Sequence, residues 1–223
     1  MKKLILGDGL LGSELKKQTN WDISSRRFSD LDINNLTSLE ELIKNYKVIV
    51  NCIADTDTYS KNKENHYRVN YRFPSNLSNI CEKLNIKLIH ISTDYVYANN
   101  LPVATEDELP LPAPNWYSYT KLLADEYICL TNSNYLICRL SHKPYPFPYD
   151  DVWDVITSGD TVDKIASLVI KLIEKESYGL VNVGTGTKNL HKIAPNKKVI
   201  ERPSYVPYDT SMNLDKMNKL LNK

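Results

Sequence analysis

The sequence has few cysteines and glycines, no excess charge of either sign and no long apolar run. Its four cysteines, Cys52, Cys81, Cys129 and Cys138, show no metal-ligand spacing, which predicts reduced thiols, a cytoplasmic protein and no metal site. The 28 basic and 27 acidic side chains leave a formal charge of +1, which argues against binding to nucleic acid or an anionic membrane. No apolar run is long enough to span a bilayer. We therefore expect a small-molecule ligand.

Apolar runs alternate with amphipathic stretches along most of the chain, as strands and helices do in a parallel sheet. We predict strands near residues 3–6, 21–24, 47–53, 87–92, 135–140 and 179–183, and helices near residues 9–18, 39–45, 67–84, 117–130 and 161–175. Proline-rich segments at 99–115 and 144–148 predict loops. The expected fold is α/β, a Rossmann-type doubly wound parallel sheet with a small C-terminal cap.

The turn after the first predicted strand has the pattern Gly7-x-Gly9-x-x-Gly12, with Leu10 and Leu11 between the last two glycines. The first glycine permits a tight turn, the second lets backbone approach a pyrophosphate, and the third lets the helix pack on the strand. An ordinary strand-to-helix turn can carry the same glycines. The position directly after a terminal apolar strand favours dinucleotide binding.

The second predicted strand is followed by Ser25-Arg26-Arg27. An NAD-binding protein usually has a carboxylate here, which accepts a hydrogen bond from the ribose 2′-hydroxyl. A serine and two guanidinium groups suit a 2′-phosphate instead, although a solvated basic loop has the same composition. With the glycine turn, this segment favours NADPH, with NADH as the alternative. We assign residues 1–140 to an NADP(H)-binding Rossmann domain and residues 141–223 to a reduced substrate-binding region.

Tyr117 and Lys121 are four residues apart at the start of a predicted helix and therefore share one face. An ammonium beside a phenol lowers the phenol pKa and makes the phenol a usable proton donor. Tyr59 and Lys63 have the same spacing, so the spacing alone is weak evidence. Tyr117, however, follows the proline loop and lies downstream of Thr93, at a strand end where α/β proteins bind ligands.

Three segments resemble the extended short-chain dehydrogenase/reductases, particularly the dTDP-4-dehydrorhamnose reductases. They are residues 90–97 (HISTDYVY), 105–107 (TED) and 114–121 (PNWYSYTK). Weaker similarity extends upstream to residues 51–54, 69–70 and 76–77, and downstream to residues 162–166, 182–184 and 202–203. The resemblance implies NADPH-dependent reduction of a nucleotide-linked 4-keto-6-deoxysugar and pairing into a homodimer.

The same resemblance implies roles for individual residues. Tyr117 would protonate the C4 carbonyl oxygen, Thr93 would hydrogen-bond the same oxygen, and Lys121 would hold the nicotinamide ribose and depress the pKa of Tyr117. Further cofactor contacts are implied for Asp32, Ile33, Cys52, Ile53, Ala54 and Asn70, and substrate contacts for Asp94, Tyr95 and His142.

The sequence departs from the family pattern in the part that should bind the sugar. About twenty residues separate Arg139 from Asp160, where the family has a longer stretch of substrate lobe, and His142 stands where the family has a tryptophan. Asp55 stands where the family often has an aromatic residue beside the nicotinamide. The substrate region is therefore expected to be a shortened cap.

Two other functions remain open from the sequence. A sugar-nucleotide dehydratase or epimerase has the same scaffold, but related dehydratases carry glutamate where this chain has Tyr95. A non-catalytic NADP-binding regulatory protein, similar to the regulatory subunit of methionine adenosyltransferase, would suit the shortened cap. The presence of Thr93, Tyr117 and Lys121 argues against that role.

Overall fold

The computed structural model describes residues 1–29 and 31–222. Its strands are β1 (Lys3–Leu6), β2 (Asp22–Ser24), β3 (Val48–Asn51), β4 (Lys87–Thr93), β5 (Tyr135–Leu140), β6 (His142–Lys143), β7 (Asp151–Trp153), β8 (Ile156–Thr157), β9 (Asp160–Thr161), β10 (Gly179–Val183), β11 (Lys188–Asn189), β12 (Lys198–Ile200) and β13 (Asp209–Thr210). Its α-helices are α1 (Leu10–Gln18), α2 (Arg26–Ser29), α3 (Leu36–Ile43), α4 (Lys63–His66), α5 (Phe73–Lys83), α6 (Trp116–Thr131), α7 (Val162–Glu174) and α8 (Asp215–Leu221). A π-helical segment, Tyr67–Arg72, joins α4 to α5, and 3₁₀ turns cover Asp94–Tyr97 and Leu190–Lys192. Within the described ranges, no helix has both the length and the apolar character needed to cross a bilayer.

Six parallel strands form the central sheet in the order β10-β5-β4-β3-β1-β2. The chain first adds β2 on one side of β1. It then crosses to the other side of β1, where β3, β4, β5 and β10 are added in turn. The carboxyl ends of β1 and β3 therefore border the point where the direction reverses, which is where such sheets bind ligands. This arrangement confirms the predicted doubly wound α/β fold.

Two helical layers bury the two faces of the sheet. Ile5 of β1 lies in one apolar cluster with residues of α1 and α7, whereas Leu4 and Leu6 lie in the other with residues of α3 and α5. Successive side chains of a strand point to opposite faces, so an uninterrupted apolar run fits a strand covered on both sides. The core thus fixes the sheet, and the sheet fixes the position of its ligand-binding edge.

Part of the chain after residue 140 belongs to this layered core. Strand β10 pairs in parallel with β5, and helix α7 packs against α1. The remaining strands form small separate sheets, in the orders β11-β8-β13, β12-β7 and β6-β9. The division at residues 140 and 141 remains a prediction, but the second segment supplies one strand and one helix of the Rossmann layers.

The proline loop between residues 99 and 115 is anchored on the C-terminal segment. The backbone N–H of Ala104 donates to the Ser211 carbonyl at 3.1 Å, and the N–H of Asn213 donates to the Ala104 carbonyl at 2.9 Å. The loop therefore joins the end of β4, where the sequence predicts catalytic residues, to residues close to the C-terminus.

Candidate active site

A cleft of about 840 Å³ opens at the carboxyl ends of β1 and β3. The predicted cofactor residues that line it are Gly7, Gly9, Ser25, Arg26, Asp32, Ile33, Cys52, Ile53 and Ala54. The predicted cofactor residues Leu10, Leu11, Gly12, Arg27, Asn70 and Lys121 lie outside this lining. The structure thus brings most of the predicted cofactor residues to one place, at the reversal point of the sheet.

The three glycines of the first turn meet different steric demands. Gly7 has φ of +100°, a conformation that side chains rarely adopt. A Cβ at Gly12 would lie 2.1 Å from the Gly7 carbonyl oxygen, so α1 can pack on the turn only without one. A Cβ at Gly9 would meet nothing within 4 Å, and α1 has no side-chain cap at its N-terminus. Open backbone and uncapped N–H groups suit an anion.

The structure separates the two arginines of the basic segment. Arg26 lines the cleft, whereas the exposed Arg27 places its Nε 3.4 Å from Oδ2 of Asp8. The Ser25 hydroxyl accepts hydrogen bonds from the N–H groups of Arg27 and Phe28, at 3.2 and 3.3 Å, and so fixes the start of α2. Ser25 and Arg26 are therefore better placed than Arg27 to meet a ligand.

Asn70 holds the backbone of Asp55, a residue that lines the cleft. Its Oδ1 accepts from the backbone N–H of Asp55 at 2.7 Å, and its Nδ2 donates to the Asp55 carbonyl at 3.0 Å. Asn70 is fully buried in the π-helical segment, where the wider turn changes which side chains face the sheet. The helix predicted near residues 67–84 thus begins as the π-helical segment Tyr67–Arg72 and continues as α5.

Tyr117 and Thr93 lie together at the carboxyl end of β4. Asn115 caps α6 by accepting from the N–H of Ser118 at 2.9 Å, which fixes the first turn that carries Tyr117. Burial raises the pKa of Tyr117 to about 12, a polar contact with Thr93 lowers it, and the carboxylates of Asp94 and Asp125 raise it further. The phenol therefore keeps its proton at neutral pH.

Lys121 is buried one helical turn further along α6. Its Nζ donates to the Ile91 carbonyl at 2.6 Å and lies 3.1 Å from Nε2 of His90. Burial lowers the pKa of Lys121 to about 8. We expected Lys121 to depress the pKa of Tyr117, but that pKa is raised: burial and two carboxylates outweigh any such effect, and Lys121 is engaged with β4.

The three predicted substrate residues come from two parts of the chain: Asp94 and Tyr95 follow β4, and His142 lies in β6. Asp94 accepts a hydrogen bond from Thr210 Oγ1 at 2.6 Å, and burial raises its pKa to about 6. Tyr95 packs its ring edge-on against Tyr117, with centroids 6.3 Å apart. His142 lies in β6, where burial lowers its pKa to about 4. The edge thus combines groups from before and after residue 140.

The profile of the family described as "RmlD substrate binding domain" matches residues 1–142. The chain belongs to this family. A dTDP-4-dehydrorhamnose reductase of Mycolicibacterium smegmatis is 30% identical over 146 residues, which cover 63% of this chain and 40% of that protein. Methionine adenosyltransferase 2 subunit beta of Xenopus laevis is 28% identical over 181 residues, which cover 74% of this chain and 52% of that protein.

Solved structures similar to this RmlD-family chain include a dTDP-4-dehydrorhamnose reductase from Clostridium acetobutylicum. Its TM-score is 0.84 at 23% identity, with coverage of 100% of this chain and 93% of that one. A dTDP-4-dehydrorhamnose reductase from Bacillus anthracis, in complex with NADP, has a TM-score of 0.82 at 22% identity. The match covers 98% of this chain and 93% of that one. At these identities the likeness establishes the fold. The matches to the curated relatives above span only about two fifths to one half of those proteins' length.

Sequence reasoning missed several polar residues around the RmlD-family site. Asp125 accepts from Ser92 Oγ at 2.8 Å and from Arg139 Nε at 3.0 Å, and it is fully buried. Its position four residues after Lys121 on α6 could have indicated this. Tyr59, which served only as a counterexample for spacing, forms a 3.0 Å hydroxyl contact with Tyr95.

Acidic, histidine and cysteine side chains are not grouped for metal binding in the described part of the chain. No set of three or more that could hold a metal ion occurs in residues 1–29 and 31–222.

Proposed function

We propose that this RmlD-family chain is an NADPH-dependent reductase acting on the C4 carbonyl of a nucleotide-linked 4-keto-6-deoxysugar. The proposal is carried by one observation: a phenol that keeps its proton lies beside Thr93, at the sheet edge that also forms the glycine-turn cleft. A proton donor next to a dinucleotide cleft is what reduction of a carbonyl requires. The reductases among the relatives support the substrate class.

The cleft fits a dinucleotide in shape and charge. The backbone at Gly9 is open, the N-terminus of α1 is uncapped, and Arg26 offers a guanidinium to a 2′-phosphate. Ser25 lies in the same lining, so the pair favours NADPH over NADH. When bound, the reduced nicotinamide supplies a hydride.

The side chains at the edge of the sheet would handle the proton. Tyr117 gives its proton to the C4 oxygen as C4 becomes an alcohol carbon, and Thr93 hydrogen-bonds the same oxygen. The tyrosinate then takes a proton from water, which restores the phenol. Lys121 faces the nicotinamide ribose, while Asp94, Tyr95 and His142 contact the sugar.

A turnover assay tests this proposal. Purified protein with NADPH should lose nicotinamide absorbance when dTDP- or UDP-4-keto-6-deoxyglucose is added. Tyr117→Phe should reduce turnover by about 10²- to 10⁴-fold, the usual contribution of a general acid. Tyr119→Phe, a change at an exposed tyrosine of the same helix, is the matched control and should leave turnover unchanged. Protein that binds NADPH but oxidises it with neither nucleotide sugar would overturn the proposal.

A second candidate is a non-catalytic NADP-binding regulatory subunit. The observation that favours it is coverage: the similarity to methionine adenosyltransferase 2 subunit beta extends over 74% of this chain, further than the 63% of the Mycolicibacterium smegmatis reductase. This candidate predicts NADPH binding that Tyr117→Phe leaves unchanged, together with no turnover of either nucleotide sugar. Association with a catalytic partner would then be the function to measure.

A further inference from the structure

Asp8, the residue between the first two glycines of the turn, has a carboxylate oxygen without a hydrogen-bond donor. Its Oδ2 is buried, yet it accepts no hydrogen bond from residues 1–29 or 31–222. Nε of Arg27 lies 3.4 Å from this oxygen, which makes an ion pair without a directed hydrogen bond. Asp8 also lines the cleft proposed to bind the dinucleotide. A buried acceptor beside a ligand cleft indicates a donor on the ligand.

The position of the glycine turn brings Asp8 close to the end of β2. The N–H of Gly7 donates to the Ser24 carbonyl at 2.8 Å, and the backbone carbonyl of Asp8 accepts from Ser13 Oγ at 2.8 Å. The carboxylate of Asp8 then reaches the first turn of α2, where it meets Arg27. A carboxylate at the end of the second strand usually contacts the ribose 2′-hydroxyl in this place. In this chain the turn after β1 supplies a carboxylate there instead.

Other oxygens on this side of the cleft are less suited to accept from a ribose hydroxyl. Ser25 Oγ already accepts from two backbone N–H groups of α2. Oδ1 of the exposed Asp32 accepts from the backbone N–H and from Nδ2 of Asn34, at 2.9 and 2.8 Å. Asp8, by contrast, keeps a buried oxygen without a donor.

The same carboxylate opposes a 2′-phosphate. A phosphate dianion brings acceptors and negative charge to this position, whereas a hydroxyl brings a donor. The guanidinium of Arg27 offsets little of the charge on Asp8, because the arginine side chain is 77% exposed and screened by water. We propose that Asp8 is a specificity-determining residue: it accepts a hydrogen bond from the ribose 2′-hydroxyl and lowers the preference for NADPH that Arg26 creates.

This inference rests on the dinucleotide binding of the proposed function and adds a basis for the choice of cofactor. Arg26 and Asp8 line one cleft with opposite charges, so the first stabilises a 2′-phosphate and the second a 2′-hydroxyl. The two preferences offset each other, and NADH becomes an effective ligand beside NADPH. The wild-type dissociation constants of the two cofactors should therefore differ by less than about tenfold.

Titration of the substrate-free protein with NADH and with NADPH tests the inference without turnover. In Asp8→Asn the side chain keeps its shape, loses its charge and gains a donor for phosphate. The ratio of the NADH to the NADPH dissociation constant should rise at least about fivefold. Asp57→Asn is the matched control, because this exposed carboxylate lines the same cleft but follows β3, on the other side of β1 from β2. It should leave the ratio unchanged.

Adenosine diphosphate and its 2′-deoxy analogue test the hydrogen bond in the wild-type protein, whether or not the variant folds. The two probes differ only in the 2′-hydroxyl. Adenosine diphosphate should bind at least about fivefold more tightly, because loss of the hydroxyl removes a hydrogen bond to a charged group.

The outcomes separate this inference from the proposed function. A smaller rise of the ratio in Asp8→Asn, or an equal rise in Asp57→Asn, would refute the role of Asp8 while dinucleotide binding stands. Equal affinities for the two adenosine diphosphates, or a larger difference between NADH and NADPH in the wild type, would do the same. Binding of neither cofactor would refute both. Binding with the expected ratios but without turnover of a nucleotide sugar would support Asp8 and contradict the reductase alone.

Discussion

The residues up to 140 and the residues after 140 are held in place in different ways. Strands β1 to β5 have three to seven residues and pair continuously, so backbone ladders position the edge that carries Thr93. After residue 140, every strand except β10 has two or three residues. Apart from the pairing of β10 with β5, the packing of α7 on α1 and the backbone contacts of Ala104, this part meets the first through single side chains, such as Thr210 on Asp94. The comparison indicates that the first part depends on its continuous ladders and the groups buried with them, and that the short strands of the second depend more on individual contacts.

The largest expected effect comes from breaking the buried ion pair of the first part. Asp125→Ala leaves the guanidinium of Arg139 buried with only Tyr97 as a strong partner, at 2.7 Å. Removing one member of a buried pair costs about 3–5 kcal/mol. The free energy of unfolding measured in urea should therefore fall by that amount. Glu126→Ala, at an exposed neighbour 3.9 Å from Arg139, is the control and should change the midpoint little. Equal shifts in the two variants would show that the pair is unimportant.

A smaller effect should come from pH, through the contact between the two parts. The pKa of Asp94 is about 6 in the folded protein and 3.8 in its ordinary state. The fold therefore prefers the neutral acid, and stability should fall by about 2 kcal/mol as pH rises from 4 to 6. Urea unfolding between pH 4 and 7 measures this, with Asp94→Asn as the reference that lacks the effect.

The reference variant matters because His142 acts in the opposite direction. Its folded pKa of about 4 lies below its ordinary value of 6.5, so its contribution to stability is lost as pH falls through the same window.

Thr210→Val sharpens the test of Asp94. The Thr210 hydroxyl lowers the pKa of Asp94, so its loss should raise that pKa and extend the window upward. Identical pH profiles for wild type and Asp94→Asn would contradict the assignment.

The residues up to 140 are predicted well from the sequence because their strands and turns have recognisable local sequence patterns. Strands β1, β3, β4 and β5 are apolar runs buried on both faces, and the turn after β1 needs glycine at positions that the pattern identifies. The resemblance to a family of reductases is likewise confirmed at the level of the RmlD family, by a match over residues 1–142.

The features that were not predicted have no such local sequence pattern. Strands of two residues show no periodicity, so the small sheets after residue 140 were not foreseen. The wider turn that buries Asn70 does not change the apolar pattern of its helix. Asp94 and Thr210 are separated by 116 positions, and only the folded chain brings them together.

Next in size is a change in ligand affinity that leaves the fold intact. Gly9 has φ of −65°, which alanine adopts readily, and a Cβ there meets no protein atom within 4 Å. Gly9→Ala should therefore unfold like wild type but bind NADPH at least tenfold more weakly, about 1.4 kcal/mol, because the methyl group occupies the path of the pyrophosphate. Titration calorimetry measures the affinity. Wild-type affinity in the variant would show that the phosphates do not approach Gly9.

The smallest effect should separate two neighbouring arginines. Arg27 is exposed and paired with Asp8, so Arg27→Ala should change NADPH affinity by less than about twofold, as expected for an exposed ion pair. Arg26 lines the cleft, so Arg26→Ala should weaken NADPH more than NADH, which lacks the 2′-phosphate. The measurement is the ratio of the two dissociation constants in each variant. If Arg27→Ala changes that ratio and Arg26→Ala does not, the pairing with Asp8 must open on binding.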